Sequence, residues 1–467
     1  MDHHFDLIVI GAGSAGYNGA ALAVRNGLRV ALVDGAEELG GLCILRGCMP
    51  SKALLASARR LQLAKGAGEL GIEVPEARVN LRAVMERKNA HIAEFADYRR
   101  GQIEKGNWEF FRGFAQFENE HTVRVTSRDG TTQALTAEAF LLATGSVIVP
   151  PPVPGLAKLG YLTSDDALQL EQLPESLVIL GAGAVGLEFA YYFNALGVKV
   201  TVLQRSAQML KGADADLAAS LRTSLEAQGI TVHTGVTLDH AERGSGGRKI
   251  YFHQDGKSQV VEAAEVFHAL GRRANLERLN LEKAGLELRN GQLFVQPTQQ
   301  TDAPHIFAAG DVCGPYEIVH LAIQQAEVAV RNVGRVLKKS AGPLEHMDYR
   351  LKLFVLFTHP EMAQVGLTEA EARAGGREIK IATYPFNDHG KSLVLGETDG
   401  LVKLIVDADT KEILGAAVLG PEASSLIHEV AAVMYFHGTA GDLARLPHYH
   451  PTLAEIWTYP AEELAES

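Results

Sequence analysis

Two cysteines near the start of the chain, Cys43 and Cys48, are the residues best suited to redox chemistry. They lie in GGLCILRGCMPSKALL (40–55), five positions apart. In a regular helix this spacing separates Cα atoms by roughly 8–9 Å, beyond the ~4.4–6.8 Å that a disulfide allows. If the pair bridges, the backbone between the cysteines must therefore be irregular. Gly47 and Pro50 are the residues that could distort it.

The cysteines alone leave three interpretations open: a redox pair, two inert buried thiols, or part of a metal site. Cys313 is the third and last cysteine, so no further cysteine lies nearby to complete a set of four zinc ligands, and no metal site is predicted. Three cysteines are also too few for a secreted disulfide scaffold. Arg46 lies between the pair and could stabilise a thiolate if it points inward.

Two glycine-rich turns form the second chemical signal. Residues 5–34 and 177–204 each read as an apolar strand, a glycine turn, an Ala-rich helix and a second apolar strand. In such a unit the glycines permit a tight turn, close approach of backbone N–H groups to a pyrophosphate, and packing of helix on strand. Two units predict two dinucleotide-binding domains. The glycines concerned are Gly11, Gly13 and Gly16, and then Gly181, Gly183 and Gly186.

The two units differ where the second strand ends. Asp34 can accept hydrogen bonds from a ribose hydroxyl in the first unit. The matching position in the second unit is Gln204, followed by Arg205. A site without the carboxylate and with a guanidinium favours NADP(H) over NAD(H). The alternative, that Arg205 is an ordinary solvated arginine, stays open.

The C-terminal stretch RLPHYHPTLAEIW (445–457) places His450 five residues before Glu455. Pro451 can start a helix, which would put Glu455 in its first turns. A carboxylate that holds an imidazole orients it and raises its basicity. Disulfide reduction needs a proton donor to the leaving thiolate, and histidine is suited to that task. Without further context, a surface hydrogen bond is the simpler interpretation, and His448 is a weaker candidate.

The elements that must position these residues suggest an α/β fold. A proline cluster in LLATGSVIVPPPVPG (141–155) cannot continue a sheet and marks a boundary. Towards the C-terminus, residues 401–420 predict a β-hairpin and residues 425–438 an amphipathic helix. We therefore predict two doubly wound dinucleotide-binding domains and a C-terminal α+β domain. The predicted segments are 1–150 for FAD, 151–274 for NAD(P), 275–345 completing the FAD side, and 346–467 for dimerisation.

Charge and composition exclude several classes of protein. Lys and Arg number 44 against 56 Asp and Glu, a net charge of −12, which argues against nucleic acid or an anionic membrane as the main partner. No apolar run reaches the roughly 18 residues of a membrane span. The first residues, MDHHFD, do not resemble a secretory signal. The sequence therefore predicts a cytoplasmic location.

Taken together, the motifs resemble the FAD-dependent pyridine nucleotide-disulfide oxidoreductases, most of all the dihydrolipoamide dehydrogenases. Glutathione and mercuric reductases are further relatives. The matching stretches cover nearly the whole chain: GAGSAG, GGLCILRGCMPSK, LLATGS, GAGAVGLEFA, TDAPHIFAAGD, FTHPEMAQVGLTEAEA and YHPTLAE. The resemblance implies FAD and a nicotinamide cofactor, a small or lipoyl-type disulfide substrate, and a homodimer.

The resemblance also implies a role for each matching residue. Cys43 exchanges with substrate, whereas Cys48 faces the flavin as the charge-transfer thiolate. His450 and Glu455 form the acid/base pair of the partner subunit's active site. Cys313 matches no redox position and is predicted to be structural. Residues implied to lie near the cofactors are the Lys52–Glu188 pair, Gly41, Thr144, Gly145, Gly271, Gly310 and Asp311.

Departures from the family pattern leave the substrate open. Leu42 stands where a threonine is usual, and Arg46 replaces a small or apolar residue. EIVHLAIQQAEVAVRN (317–332) only loosely matches the family's segment. Mercuric reductases carry a C-terminal cysteine pair and lack HPTxxE, so mercury chemistry is not expected. The alternatives are an NADPH-dependent reductase of another small disulfide, or a flavoprotein subunit with a structural or sensing role.

Overall fold

A computed structural model describes residues 3–467. By its internal contacts the chain divides into two units. The first unit combines the chain up to Ser51 with Arg87–Val149 and Gly271–Asp348; the second combines Lys52–Glu86, Pro150–Leu270 and Tyr349–Ser467. The assignment of a cofactor to each predicted segment stays a prediction.

The helices and strands follow one another in the order of an α/β chain that ends in an antiparallel sheet. The strands are β1 (His4–Ile10), β2 (Val30–Val33), β3 (Glu109–Phe111), β4 (Phe114–Asn119), β5 (Thr122–Thr126), β6 (Thr132–Leu142), β7 (Ser146–Ile148), β8 (Ser176–Leu180), β9 (Lys199–Gln204), β10 (Thr231–Thr234), β11 (Thr237–Arg243), β12 (Arg248–Gln254), β13 (Lys257–Ala263), β14 (Glu265–His268), β15 (Arg272–Ala274), β16 (Ile306–Ala308), β17 (Leu353–Leu356), β18 (Glu361–Gly366), β19 (Ile379–Pro385), β20 (Leu401–Asp407) and β21 (Ile413–Gly420). The α-helices are α1 (Ser14–Arg25), α2 (Gly41–Leu45), α3 (Cys48–Gly66), α4 (Leu81–Glu104), α5 (Leu156–Leu159), α6 (Ser164–Ala167), α7 (Ala184–Ala195), α8 (Ala215–Ala227), α9 (Val319–Val336), α10 (Glu369–Ala374), α11 (Gly390–Leu395), α12 (Ala423–Tyr435), α13 (Ala440–Arg445) and α14 (Thr458–Glu466).

The first unit is built on a mixed sheet in the order β3-β2-β1-β6-β5-β4, with β16 also paired to β6. Strand β1 is buried on both faces, as expected for a central parallel strand covered by layers on either side. Leu7 and Val9 face the layer that contains α1 and α9. Ile8 and Ile10 belong to a separate core cluster. The alternation follows from the two-residue period of a strand.

The parallel strands of this sheet end at one edge. Ile10 pairs with Val33 on one side and with Leu142 on the other. Leu142 in turn pairs with Ala308 at the end of β16. The segments that follow β1, β2, β6 and β16 therefore all emerge at this carboxyl edge, where open α/β sheets bind their ligands.

The second unit contains the other predicted glycine motif and the C-terminal region. A parallel sheet, β10-β9-β8-β14, precedes a five-stranded antiparallel sheet in the order β17-β18-β21-β20-β19. The predicted hairpin is confirmed as β20 and β21, and the predicted helix as α12, which ends at Tyr435 rather than at residue 438. Helix α12 packs on β18 and β21, and α14 on β19 and β20. The predicted α/β fold with an α+β C-terminal region is confirmed.

Candidate active site

The first glycine turn connects β1 to α1 at the carboxyl edge of the first unit's sheet. Gly11 has φ +101°, and a Cβ there would lie 2.4 Å from the Ala143 carbonyl oxygen. A Cβ at Gly16 would lie 1.7 Å from the Gly11 carbonyl oxygen. Both positions therefore require glycine. Gly13 meets no such obstacle and lines a cavity at this edge, which leaves its backbone accessible to a phosphate.

Asp34, directly after β2, ties this turn to the sheet. Its Oδ2 accepts a hydrogen bond from the Ala12 N–H at 2.7 Å, and its Oδ1 accepts one from the Ala36 N–H at 2.7 Å. Each carboxylate oxygen has a second lone pair, so a ribose hydroxyl can still be bound. Asp34 therefore lies at the strand end, as predicted. It also stabilises the glycine turn, a role that the sequence did not indicate.

The predicted break between the cysteines is present. Cys43 lies in the short helix α2, which ends at Leu45, and Cys48 opens α3. Gly47 lies in the break, where a Cβ would come within 3.0 Å of the Leu42 carbonyl oxygen. Pro50 lies in the first turn of α3, where proline is tolerated, and does not cause the break.

Both cysteines line the same cavity as the glycine turn. The cavity walls come from the segments after β1, β6 and β16, from α2 and from the start of α3; they include Gly13, Ser14, Cys43, Cys48, Gly145, Gly310, Asp311 and Glu317. Cys48 is at the N-terminus of a 19-residue helix, and a helix N-terminus stabilises negative charge on a thiolate or a phosphate. Arg46 is exposed.

A phosphate-bearing flavin cofactor fits this cradle. Gly41 has φ +78°, and a Cβ there would lie 2.7 Å from the Cα of Gly13. The backbones of α2 and of the glycine turn therefore approach each other as closely as glycine permits. Because neither Gly13 nor Gly41 has a side chain, the backbone N–H groups beside them are not covered, as binding of a pyrophosphate requires. The residues present thus agree with the FAD site predicted here.

Asp311, which lines the cavity, belongs to a polar network that the sequence did not indicate. The Ser146 hydroxyl donates to Asp311 Oδ2 at 2.7 Å, and Arg272 Nε donates to Ser146 Oγ at 2.8 Å. Burial and the neighbouring Asp311 raise the pKa of Glu317. Only the position of Ser146 after Thr144-Gly145 could have suggested this network, because Arg272 is 126 residues away.

Thr144, Gly145 and Gly310, also predicted for the FAD site, lie at the same edge, whereas Gly271 was predicted only as a cofactor-binding residue. The Thr144 hydroxyl donates to the Asn275 carbonyl at 2.8 Å, and the Asn275 N–H donates to the Gly145 carbonyl at 2.9 Å. Gly271, with φ +129°, precedes β15 and accepts a hydrogen bond from the Val149 N–H. The Gly310 N–H donates to Gln325 Oε1 at 2.7 Å.

Cys313 lies close to Gly310 and is only partly exposed. Its sulfur packs against the apolar cluster on one face of the sheet and donates to the Gly310 carbonyl. Burial raises the pKa of Cys313 to about 12. This environment disfavours a thiolate, in agreement with the predicted structural role.

In the second unit, β8 and α7 repeat the glycine geometry. Gly181 has φ +103°, with a Cβ 2.5 Å from the Ala269 carbonyl oxygen, and a Cβ at Gly186 would lie 2.0 Å from the Gly181 oxygen. Gly183 again has open space around it. Gln204 Oε1 accepts from the Ala182 N–H at 2.8 Å, the same bond that Asp34 makes in the first unit. Arg205 follows with an exposed side chain.

Lys52 and Glu188, predicted as a pair, are in contact in the second unit. Lys52 Nζ lies 2.9 and 2.8 Å from the two carboxylate oxygens of Glu188. The Phe357 N–H also donates to Glu188, and the lysine ammonium stacks over the Phe357 ring. The Glu188 side chain is only 7% exposed, so its charge depends on these donors.

His450 and Glu455 form the predicted pair, with Nδ1 3.0 Å from Oε2. The imidazole is 80% exposed and the carboxylate only 11%, so His450 presents its free edge to solvent. The predicted helix start at Pro451 was wrong: the first turn begins at Ala454, and Glu455 lies in a 3-10 turn. Trp457 anchors that turn, because its side chain is buried and its indole N–H donates to the Leu426 carbonyl.

The weaker candidate, His448, has a different partner. Its Nε2 lies 2.7 Å from Glu429, and its side chain is only 8% exposed. It therefore takes no part in the His450–Glu455 pair.

The chain is similar to known proteins along nearly its whole length. Residues 5–330 match the family model described as "Pyridine nucleotide-disulphide oxidoreductase", and residues 354–461 match that of its dimerisation domain. Dihydrolipoyl dehydrogenase of Bacillus subtilis is 34% identical over 97% of both chains. Mercuric reductase of Staphylococcus aureus is 32% identical, over 97% of this chain and 81% of that protein. The solved structure of the HOCl-induced flavoprotein disulfide reductase RclA from Escherichia coli is 27% identical, with a TM-score of 0.83 over 98% of this chain and 99% of that one. Within residues 3–467, no helix is long and apolar enough to cross a membrane.

Proposed function

Since the chain belongs to the pyridine nucleotide-disulphide oxidoreductase family, we propose that Cys43 and Cys48 are its redox pair. Family membership makes it a flavoprotein disulfide oxidoreductase that uses FAD and NAD(P)H. The observation that supports the assignment of the pair is that both cysteines line one cavity with Gly13 and Asp311. When bound, FAD relays two electrons between the nicotinamide and the cysteine pair. Lys52 and Glu188 are assigned to the flavin's surroundings.

The substrate is a small disulfide of the lipoyl type. The Cys43 thiolate attacks one sulfur of this disulfide, which forms a mixed disulfide and releases the first substrate thiolate. Cys48 then attacks the Cys43 sulfur, which releases the second and closes the Cys43–Cys48 disulfide. Two enzyme thiols are thereby oxidised and one substrate disulfide is reduced; the same steps in reverse oxidise a dithiol.

His450 supplies the proton for this exchange. Its Nδ1 is held by Glu455, so the opposite nitrogen, Nε2, is free to protonate a leaving thiolate or to deprotonate an attacking thiol. The dimerisation-domain match indicates a homodimer. We place His450 opposite the partner subunit's Cys43, as the resemblance implies.

The nicotinamide cofactor is NADP(H). Gln204 occupies the position of Asp34 without a carboxylate, and Arg205 adds a positive charge beside it. This pairing of a neutral strand end with a guanidinium suits a 2′-phosphate.

The direct test is turnover of the purified holoenzyme with NADPH or NADH against lipoamide, glutathione disulfide and other small disulfides. We expect NADPH to support reduction of a lipoyl-type disulfide, and Cys43→Ser to abolish it while FAD stays bound. NADPH oxidation that continues unchanged in Cys43→Ser would contradict the role of the pair. If the enzyme reduced glutathione disulfide and not lipoamide, the proposed substrate would be wrong, but the proposed role of the cysteine pair would stand.

The shared site is tested by co-expressing two inactive variants, Cys43→Ser and His450→Ala. A mixed dimer then contains one site with both residues intact. We expect up to half of wild-type turnover per heterodimer. An inactive heterodimer would refute the shared site.

A further inference from the structure

A second histidine, His389, lies against the other oxygen of Glu455. The ring is fully buried, with 0% exposure, at the junction of the 3-10 turn Phe386–Asp388 and α11. Its Nε2 lies 3.5 Å from Glu455 Oε1, while His450 Nδ1 lies 3.0 Å from Oε2. Two imidazoles therefore flank one carboxylate, one of them buried and the other exposed.

Ser392 contacts the other ring nitrogen of His389 and can act as a hydrogen-bond donor to it. Its hydroxyl, also fully buried, lies 2.8 Å from Nδ1. When Nδ1 accepts a hydrogen bond from this hydroxyl, the neutral ring carries its hydrogen on Nε2, which faces Glu455. Within residues 3–467, Nε2 makes no regular hydrogen bond. Because a buried N–H without an acceptor is unfavourable, the Glu455 carboxylate is its natural partner.

The surroundings keep His389 neutral. Burial lowers the pKa of His389, and Glu455 opposes this effect only in part; His450 adds to it. Phe386 and Tyr459 contribute edge-on rings and no charge. A neutral donor can hold a carboxylate without cancelling its charge, so Glu455 keeps its attraction for the His450 imidazolium.

We infer that His389 is a positioning residue, whose Nε2–H holds the Glu455 carboxylate in the orientation that binds His450. The inference rests on the proposed acid/base role of His450. Catalytic hydrogen bonds are often long in an unloaded site and shorten when substrate binds. We expect the 3.5 Å distance between His389 Nε2 and Glu455 Oε1 to shorten in the same way.

Two substitutions separate positioning from packing. In His389→Gln the amide nitrogen reaches the place of Nε2 and can still donate to Glu455; in His389→Asn it reaches only the place of Nδ1. We expect His389→Asn to lower kcat for the disulfide about tenfold at unchanged KM, and His389→Gln to stay within about threefold of wild type. Reduction of ferricyanide by NADPH needs no proton for a leaving thiol. It serves as the control for fold and FAD content and should be the same in both variants.

A double-mutant cycle supplies the decisive readout. If His389 acts through Glu455, His389→Asn should cost nothing further in a Glu455→Ala background; a purely structural role would give additive losses. Additive losses, or equal activity of the Asn and Gln variants, would overturn the inference. Full disulfide turnover in His450→Ala would overturn the proposed acid/base role, and the inference with it. Loss in His450→Ala with an unaffected His389→Asn overturns the inference alone.

Discussion

Replacement of Arg205 should weaken NADPH binding and leave NADH binding nearly unchanged. A charge-assisted contact to a phosphate contributes about 1.5–3 kcal/mol, or about 10- to 150-fold in affinity. Arg205 is exposed, and an exposed contact is screened by water and salt. The lower end of that range therefore applies, and we expect Arg205→Ala to raise the KM for NADPH about tenfold.

A second substitution tests the neighbouring position without disturbing the turn. Gln204 Oε1 accepts a hydrogen bond from the Ala182 N–H, and the glutamate of Gln204→Glu keeps an oxygen in that place. The added negative charge should repel a 2′-phosphate, so this variant should lose NADPH binding and retain NADH binding.

Steady-state kinetics with both nucleotides, at low and high ionic strength, measure these effects. Lys199→Ala is the matched control, because Lys199 is an exposed cation at the opposite end of β9, about 17 Å from Gln204 by strand rise. It should change neither KM. The reasoning fails if wild type strongly prefers NADH, or if Arg205→Ala raises both KM values equally.

Three further predictions concern the cavity and the fold. Gly41→Ala should lower FAD affinity by at least about tenfold, because its Cβ would meet the facing backbone at 2.7 Å; Gly27→Ala, with the same φ of +78° but nothing within 4 Å, should bind FAD normally in a fluorescence titration. Cys48→Ser should retain FAD but trap a mixed disulfide at Cys43, which mass spectrometry of the intact protein would detect; a substrate adduct absent from this variant would contradict the order of attack. Lys403→Met should lower the free energy of unfolding by about 3–5 kcal/mol, because Lys403 is 2% exposed and its loss leaves the buried Asp214 uncompensated; thermal unfolding that matches wild type would refute this.

The parts of the site that could be predicted from sequence are local. Each glycine motif occupies a few consecutive residues between a strand and a helix, so the requirement for a tight turn at Gly11 or Gly181 is visible in the sequence. The irregular backbone between Cys43 and Cys48 was predicted from their spacing on the condition that the two form a disulfide, because a continuous helix cannot bring such a pair together.

The parts that could not be predicted depend on residues distant in sequence. Ser146 and Arg272 meet because β7 pairs with β15, and no local pattern contains that pairing. His389 contacts Glu455 from a segment 66 positions earlier in the sequence. The helix start expected at Pro451 was wrong for a related reason: burial of a large side chain, Trp457, outweighed the local preference of proline for a first turn.

The two strand ends show how structure and selectivity can be separated at one position. Asp34 and Gln204 each use a side-chain oxygen to accept a hydrogen bond from the second residue of a glycine turn. The turn requires an acceptor oxygen, but it does not require a negative charge. The acceptor can therefore be kept while its charge changes, and the charge is what a ribose 2′ substituent meets. A change in nucleotide preference at this position consequently needs no change in the fold that surrounds it.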